Sequence, residues 1–323
     1  MVYGNRYRTA YRSIMRRSGI RNNSMEGRPT GQVEEVADGV YRLETPIITA
    51  QYPAVAYIIK SPFPVVIDPG TTSNIPMLRA ALSSLDIDNP SYFIPTHLHM
   101  DHSGSAGTLS KLYPEAKIVV HPRYARHAIK PARLIAAFRI VWGQNFEETF
   151  GEVDPIPEDR LLLPEDGGVI DVGDRELEII YTPGHAPHHI AIFDRNVKGL
   201  FCGEALGVPD FQLPAAPPNS FDLDSYVATL EKLRRMKLGA ELIFFAHGGV
   251  ERDIDVLAAR AIDNIRVYGD MVLDGLKNGE TQESMERRVS DDIERRHGVC
   301  VPQRGLFVTV AGLTAYFRSI GAV

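Results

Sequence analysis

The stretch "THLHMDHSG", residues 96–104, places three histidines and an aspartate within six residues, between the apolar run "SYFIP" and a Ser-Gly turn. The whole chain holds ten histidines in 323 residues, so this is a local concentration rather than an effect of composition. His97 and His99 are two apart, and an extended backbone points both to the same side, where they can share one metal ion. Asp101 and His102 lie past the strand, where the turning backbone can aim them at a second position. Imidazole with carboxylate suits zinc, iron or manganese better than calcium or magnesium. With no cysteine nearby, a structural thiolate site is disfavoured. Coordination positions open to water would favour catalysis.

Working outward, three more histidines fall within 185–189 and another at 247. They follow the apolar runs "LEIIYTPG" and "LIFFA". Glu204 occupies the same kind of position after "GLFC". Four strand ends therefore carry metal-capable side chains, and strand ends are where layered α/β proteins gather their sites. One of His188 and His189, with His189 preferred, is expected to hydrogen-bond behind the site instead of binding metal. His121, His127 and His297 have no such context and are read as ordinary.

The rest of the chain alternates strands with helices. "VEEVADGVYRLETP" reads as a hairpin turning at Asp38-Gly39. "AVAYIIK" and "FPVVIDPG" follow as strands, "NIPMLRAALSSL" as a helix, "AKIVVH" as a strand, and 122–141 as helical with breaks. Residues 142–167 read as an irregular functional loop, and "GVPDFQLPAAPPNS" as another. Two further hairpins are expected in "GGVIDVGDRELEIIYTPG" and "HIAIFDRNVKGLFCGEAL". "FDLDSYVATLEKLRRM" is a helix starting at Asp222 or Asp224, "AELIFFAHGG" a buried strand, and 251–323 almost wholly helical. Strands that arrive as hairpins predict mixed sheets, and two sheets with helices on their outer faces would cover all of them.

Composition bounds the function. At 44% hydrophobic and 24% charged, the chain can bury a full core, and a net charge of −6 argues against a nucleic-acid binder. The concentrated basic stretch, residues 5–21, carries six arginines and no acid. It reads as a tail, a surface helix, or an extension upstream of a start at Met25. It lacks the apolar core of a secretory signal, and no run approaches a membrane span. Two distant cysteines, Cys202 and Cys300, make no disulfide framework, so a reducing cytoplasm is the expected compartment.

The motifs resemble those of the metallo-β-lactamase-fold hydrolases, including the lactonase, thioesterase and glyoxalase II-like branches. "THLHMDHSG" is similar to the family's His-x-His-x-Asp-His signature and "VVIDPG" to the strand before it. "TPGHAPHH", "GEAL" and "AHGG" are similar to the third, fourth and fifth elements. The likeness runs in the family's order over about residues 33–250. It implies an α/β fold, a four-layer αββα sandwich of two mixed β-sheets. With the pattern along the chain it gives an expected organisation of a basic N-terminal tail or extension at 1–32, a metallo-β-lactamase-fold domain at 33–250 and a C-terminal helical cap at 251–323.

By resemblance, His97, His99 and His185 would hold one metal, and Asp101, His102 and His247 a second. Glu204 would bridge them, and Asp68 would support the metal loop. The usual bridging residue is aspartate, so the glutamate is a departure that keeps iron open. The expected cofactors are two divalent ions, zinc first, with iron or a mixed iron–zinc pair as the alternative. The implied activity is a dinuclear hydrolase in which a metal-bridging hydroxide attacks a small ester, lactone, thioester or phosphoester, with Asp101 as its catalytic residue. The alternatives are a di-iron oxygen-binding or redox protein, and a non-catalytic signalling module. A small-molecule substrate, no nucleic acid, no stable membrane insertion and a possible homodimer complete the expectation. Tyr57, Tyr124, Phe138, Trp142 and Phe211 are candidate pocket walls, with core packing the competing role.

Overall fold

A computed structural model describes residues 31–47, 53–142 and 146–323. The basic segment 5–21 and the side chain of Trp142 lie outside the described residues.

The first half builds a seven-stranded sheet in sequence order. Strands β1 (Val33–Ala37), β2 (Val40–Thr45), β3 (Ala54–Ile59) and β4 (Val65–Ile67) run as antiparallel neighbours. Strands β5 (Tyr92–Ile94), β6 (Lys117–Val119) and β7 (Leu161–Leu162) extend the sheet in parallel. The expected hairpin joins β1 to β2 through Asp38-Gly39, and Gly39 takes a left-handed φ of 65°. Helix α1 (Ile75–Ser84) separates β4 from β5. The short helices α2 (Met100–Ser103) and α3 (Ala106–Leu112) separate β5 from β6.

The stretch 122–142 is broken as expected, into a 3₁₀ turn, α4 (Ala125–Ile129) and α5 (Ala132–Trp142), with Pro131 at the break. The stretch read as irregular, 142–167, is more ordered than its sequence suggests. It holds α6 (Phe146–Phe150), a 3₁₀ turn and the edge strand β7. Elements this short carry too few residues to show a period.

The second half builds a six-stranded sheet ordered β13-β12-β11-β10-β9-β8. Its strands are β8 (Val169–Asp171), β9 (Glu176–Tyr181), β10 (Ile190–Asp194), β11 (Gly199–Gly203), β12 (Leu242–Phe245) and β13 (Val250–Glu251). Only β11 and β12 pair in parallel, and helix α7 (Leu223–Met236) crosses between them. Asp222, not Asp224, caps α7, its carboxylate accepting from Ser225 N at 2.7 Å. Three long helices close the chain: α8 (Ile254–Lys277), α9 (Gln282–His297) and α10 (Gln303–Ser319).

Both sheets are mixed and packed face to face. On β3 every residue is buried, because Val55, Tyr57 and Ile59 face the second sheet while Ala56 and Ile58 face the helices. A strand covered on both faces reads as a continuous apolar run. The inter-sheet core joins Val40, Ile67 and Ile94 to Ile179, Ile192 and Phe244. One outer layer sets α1 and α3 on the first sheet. The other sets α7 to α10 on the second, with Ile180, Leu230, Ile265, Val289 and Leu313 in one cluster. The result is the four-layer αββα sandwich with added C-terminal helices.

Candidate metal centre

The site forms at one end of the inter-sheet core, where strands from both sheets stop. His97 and His99 lie in the loop leaving β5, and Asp101 and His102 in the first turn of α2. His185 follows β9, Glu204 follows β11, and His247 follows β12. Three hydrogen bonds join the sheets here: Ile190 N to Thr96 O, Val55 N to Ala246 O and Tyr57 Oη to Phe245 O, each 2.8 Å.

Four donor atoms form a first group. His97 Nε2 lies 2.8 Å from His99 Nδ1 and 3.1 Å from His185 Nε2, and the last two are 3.0 Å apart. Glu204 Oε2 lies 3.3 Å from His97 Nε2 and 3.0 Å from His185 Nε2.

Hydrogen-bond partners assign the tautomers. Thr96 Oγ1 donates its hydrogen to Asp68 Oδ2 at 3.1 Å, so it accepts from His97 Nδ1 at 3.0 Å. His185 Nδ1 donates to Ala215 O at 2.9 Å. Both Nε2 atoms are therefore bare lone pairs, facing each other with no hydrogen between them. A cation satisfies that arrangement; a hydrogen bond between them does not. The spacing is close to the edge of about 3.3 Å for a tetrahedron built on zinc bonds of about 2.0–2.1 Å.

Asp101, His102 and His247 form a second group. Asp101 Oδ2 lies 3.5 Å from His102 Nε2 and 3.4 Å from His247 Nε2. His247 Nδ1 donates to Pro53 O at 3.0 Å, which turns Nε2 towards the site. His102 Nε2 is a buried nitrogen without a hydrogen-bond partner, the kind of atom a metal would satisfy. Glu204 Oε2 also lies 3.4 Å from His102 Nε2, and Oε1 is 3.8 Å from His247 Nε2. Glu204 thus stands between the two groups, and the donor chemistry of both fits divalent metal.

The electrostatics divide the donors. Burial, reinforced by neighbouring imidazoles, holds His97 well below the ordinary histidine range and lowers His99 to about 3. Burial opposes charge on His102 and His247 too. There Asp101, with Asp68 for His102 and Glu204 for His247, outweighs it and raises both. Burial would raise the carboxyls of Glu204 and Asp101, but the imidazoles around them overcome it and keep both low. The carboxylates are thus ionised and the His97 and His99 rings neutral, the forms in which these groups ligate metal.

Supporting residues fix the ligands from behind. Asp68, at a left-handed φ of 50°, accepts from Thr96 N at 2.7 Å and lies 3.2 Å from His102 Nδ1. His189 Nε2 accepts from Glu204 N at 3.1 Å, and its Nδ1 meets Thr182 Oγ1 at 2.7 Å. Gly203 must be glycine, since its φ is 54° and a Cβ there would meet His189 Nε2 at 2.5 Å. Arg42, buried in β2, donates to Gly248 O at 3.0 Å and so ties down the loop carrying His247.

His188 also has a role that the sequence reading missed. Its Nε2 accepts from Leu98 N at 3.0 Å, between the two histidines of the first loop. Both members of "HH" therefore hold a metal loop by its backbone, each on a different sheet. Their adjacency was the available signal, because neighbours on an extended chain point to opposite sides. The aromatic candidates divide. Tyr57 and Phe211 are core residues, while Tyr124 stacks on His188 at 4.0 Å and Phe138 meets His99 edge-on at 5.6 Å. Neither His121, His127 nor His297 enters a metal-capable group.

Residues 52–247 match the family model described as the metallo-beta-lactamase superfamily. The chain belongs to that superfamily. A metallo-beta-lactamase fold-containing protein of Sulfurisphaera tokodaii is 29% identical over 191 residues, 58% of this chain and 69% of that protein. Human acyl-coenzyme A thioesterase MBLAC2 is 32% identical over 161 residues, 45% of this chain and 50% of the relative. A hydroxyacylglutathione hydrolase of Aeromonas salmonicida is 28% identical over 44% of this chain and 41% of its own length. This chain therefore spans half or less of the two hydrolases. Among solved structures, a metallo-beta-lactamase family protein of Thermus thermophilus superposes with a TM-score of 0.67 at 22% identity, over 89% of this chain and 95% of its own. That likeness concerns the fold. Among the described residues, no helix is long and apolar enough to cross a membrane.

Proposed function

We propose that this protein is a dinuclear metal-dependent hydrolase acting on a small carboxylic thioester or ester. His97, His99 and His185 hold one ion, Asp101, His102 and His247 the other, and Glu204 serves both. The observation that carries the reading is the pair of bare Nε2 atoms, on His97 and His185, converging 3.1 Å apart beside Glu204. Bound metals at such a site supply hydroxide at neutral pH and polarise a substrate oxygen. Asp101, whose side chain keeps 23% of its surface exposed while His97, His102, His185 and His247 are buried, orients the attacking water on the open side of the site. The water oxygen bonds to the carbonyl carbon, the carbon–sulfur or carbon–oxygen bond breaks, and Asp101 relays a proton to the departing atom. Relatives named as an acyl-coenzyme A thioesterase and as a hydroxyacylglutathione hydrolase support the thioester form.

The experiment is metal quantification followed by a panel of lactone, thioester, phosphodiester and phosphotriester substrates. Zinc-dependent thioester turnover that falls at least about 100-fold in Asp101→Asn supports the proposal. Turnover unchanged in His97→Ala would sink it. The glutamate at 204 sustains a second reading, a di-iron oxygen-binding or redox protein. Iron with oxo-to-iron charge-transfer bands and no ester turnover would select that one.

A further inference from the structure

We propose that the segment 121–139 is a phosphate-binding rim, and that the substrate's thiol carrier is a nucleotide-bearing one of the coenzyme A class. This rests on the thioester reading above. The chain carries a net charge of −6, yet residues 116–146 contain Lys117, Arg123, Arg126, Lys130, Arg133 and Arg139 and no aspartate or glutamate. Arg123, Arg126, Lys130 and Arg133 are exposed, and among the described residues none of the four has an ion pair. Only Arg139 has a counter-charge, Glu147 at 2.7 Å.

Part of the solvated face of α9 is neutralised by contrast. On α9, Arg288 meets Asp274 and Glu280, and Arg296 meets Asp263 and Asp292. Unneutralised cations gathered on one segment make a local positive field in an acidic protein. Guanidinium groups match phosphate oxygens in geometry and charge.

The position is as informative as the charge. Tyr124 stacks on His188, which holds Leu98 N between the first two metal ligands. Phe138 lies against His99. The inward side chains of the segment therefore touch the metal loop, while its outward ones carry the charge. Arg133 is five residues before Phe138, about 7.5 Å along α5 at 1.5 Å per residue. Half-buried Leu134 and Ile135 leave apolar surface between them. A pantetheine arm places its thioester far from its phosphates with a weakly polar chain between, which is the order of features found here.

The test compares metal-loaded wild type with the triple variant Arg126→Ala, Lys130→Ala, Arg133→Ala. Substrates are an acyl-coenzyme A and the same acyl group on N-acetylcysteamine. The variant should raise KM for the acyl-coenzyme A about 10-fold or more while leaving kcat within about twofold. It should leave the truncated thioester unchanged. Added salt should weaken the wild type towards the variant on the acyl-coenzyme A alone. Calorimetry with free coenzyme A tests the rim independently of turnover. Binding lost in the variant supports the rim even if no thioester is hydrolysed, which would instead count against the hydrolase reading. Equal KM values for both proteins on both substrates, or no binding of coenzyme A by the wild type, overturns the inference. So does a variant that loses affinity only for an RNA oligonucleotide or an acidic carrier protein.

Discussion

The first sheet contributes four metal-capable side chains from one loop of six residues, whereas the second contributes three from three separate strand ends. His97, His99, Asp101 and His102 are oriented by a strand end, one helical turn and the Asp68 carboxylate behind them. His185, Glu204 and His247 come together only because β9, β10, β11 and β12 pair in a definite register. The compact half is fixed locally, and the dispersed half is fixed by tertiary structure. Beyond their shared core the two are tied by hydrogen bonds, among them Ile190 N to Thr96 O, Val55 N to Ala246 O, Tyr57 Oη to Phe245 O and Arg42 to Gly248 O. Damage to the compact half should therefore act through the ligands themselves, and damage to the dispersed half through loop position.

The largest expected effect tests the compact half directly. His97→Ala removes a donor from the first group and should cost more than the 10–100-fold typical of a supporting residue, both in metal affinity and in turnover. Titration of metal content against activity checks it. The next pair compares the supports of the two halves. Asp68→Asn and His189→Phe should each weaken metal binding by about 10–100-fold. Asp68→Asn should disturb the group containing His102, and His189→Phe the position of Glu204. Equal and small losses at both would dissolve the distinction.

Gly203→Ala tests the dispersed half through its backbone. The side chain would be forced into a left-handed conformation and against His189, so a loss of about 1–3 kcal/mol in unfolding free energy is expected. Arg42→Met should be milder, loosening the His247 loop and weakening the second metal more than the first. Site-resolved metal titration would show it.

The smallest effect is a pH dependence of the metal-free protein. His97, His99, His188 and His189 are all held below the ordinary histidine range, mainly by burial, with His188 at about 2. Below about pH 6.5 the unfolded chain takes up protons that the fold refuses at these positions, so stability falls on acidification. Glu204 and Asp101, also lowered, add a loss as pH drops through the carboxylate range. His102 and His247 are raised and act oppositely, favouring the fold below about pH 6.5 and losing that contribution as pH rises through their folded values. Between pH 7 and 5 the four depressed histidines outweigh the two raised ones. The urea midpoint of metal-free protein should therefore fall between pH 7 and 5. A flat or rising midpoint would contradict the balance.

Much of this was legible along the chain. The alternation in β2 and the Asp-Gly turn announced the first hairpin. The continuous apolar run of β3 announced a strand covered on both faces. Strand ends followed by His or Glu, with the Asp-His pair just past the first of them, pointed to the side chains that the structure brings together. What escaped were short elements and long-range partners. Helix α6 and β7 are too brief to show a period, and Arg42 lies 206 residues from the carbonyl it holds. The basic residues of 121–139 are spread thinly enough to pass as surface, and what sets the segment apart is the packing of its Phe138 on His99 and of its Tyr124 on His188.

The sequence by itself determined the layered fold and which metal-capable side chains the strand ends carry. Both depend on local chemistry: hydrophobic period, turn residues, and imidazole or carboxylate side chains at strand ends. Only the tertiary structure decided which nitrogen of each histidine faces the centre, that Glu204 stands between the two groups, and that His188 and His189 serve different sheets. Those are choices of hydrogen-bond partner, and the partners, Asp68, Ala215 and Pro53 among them, reach the site from chain positions that no spacing rule connects.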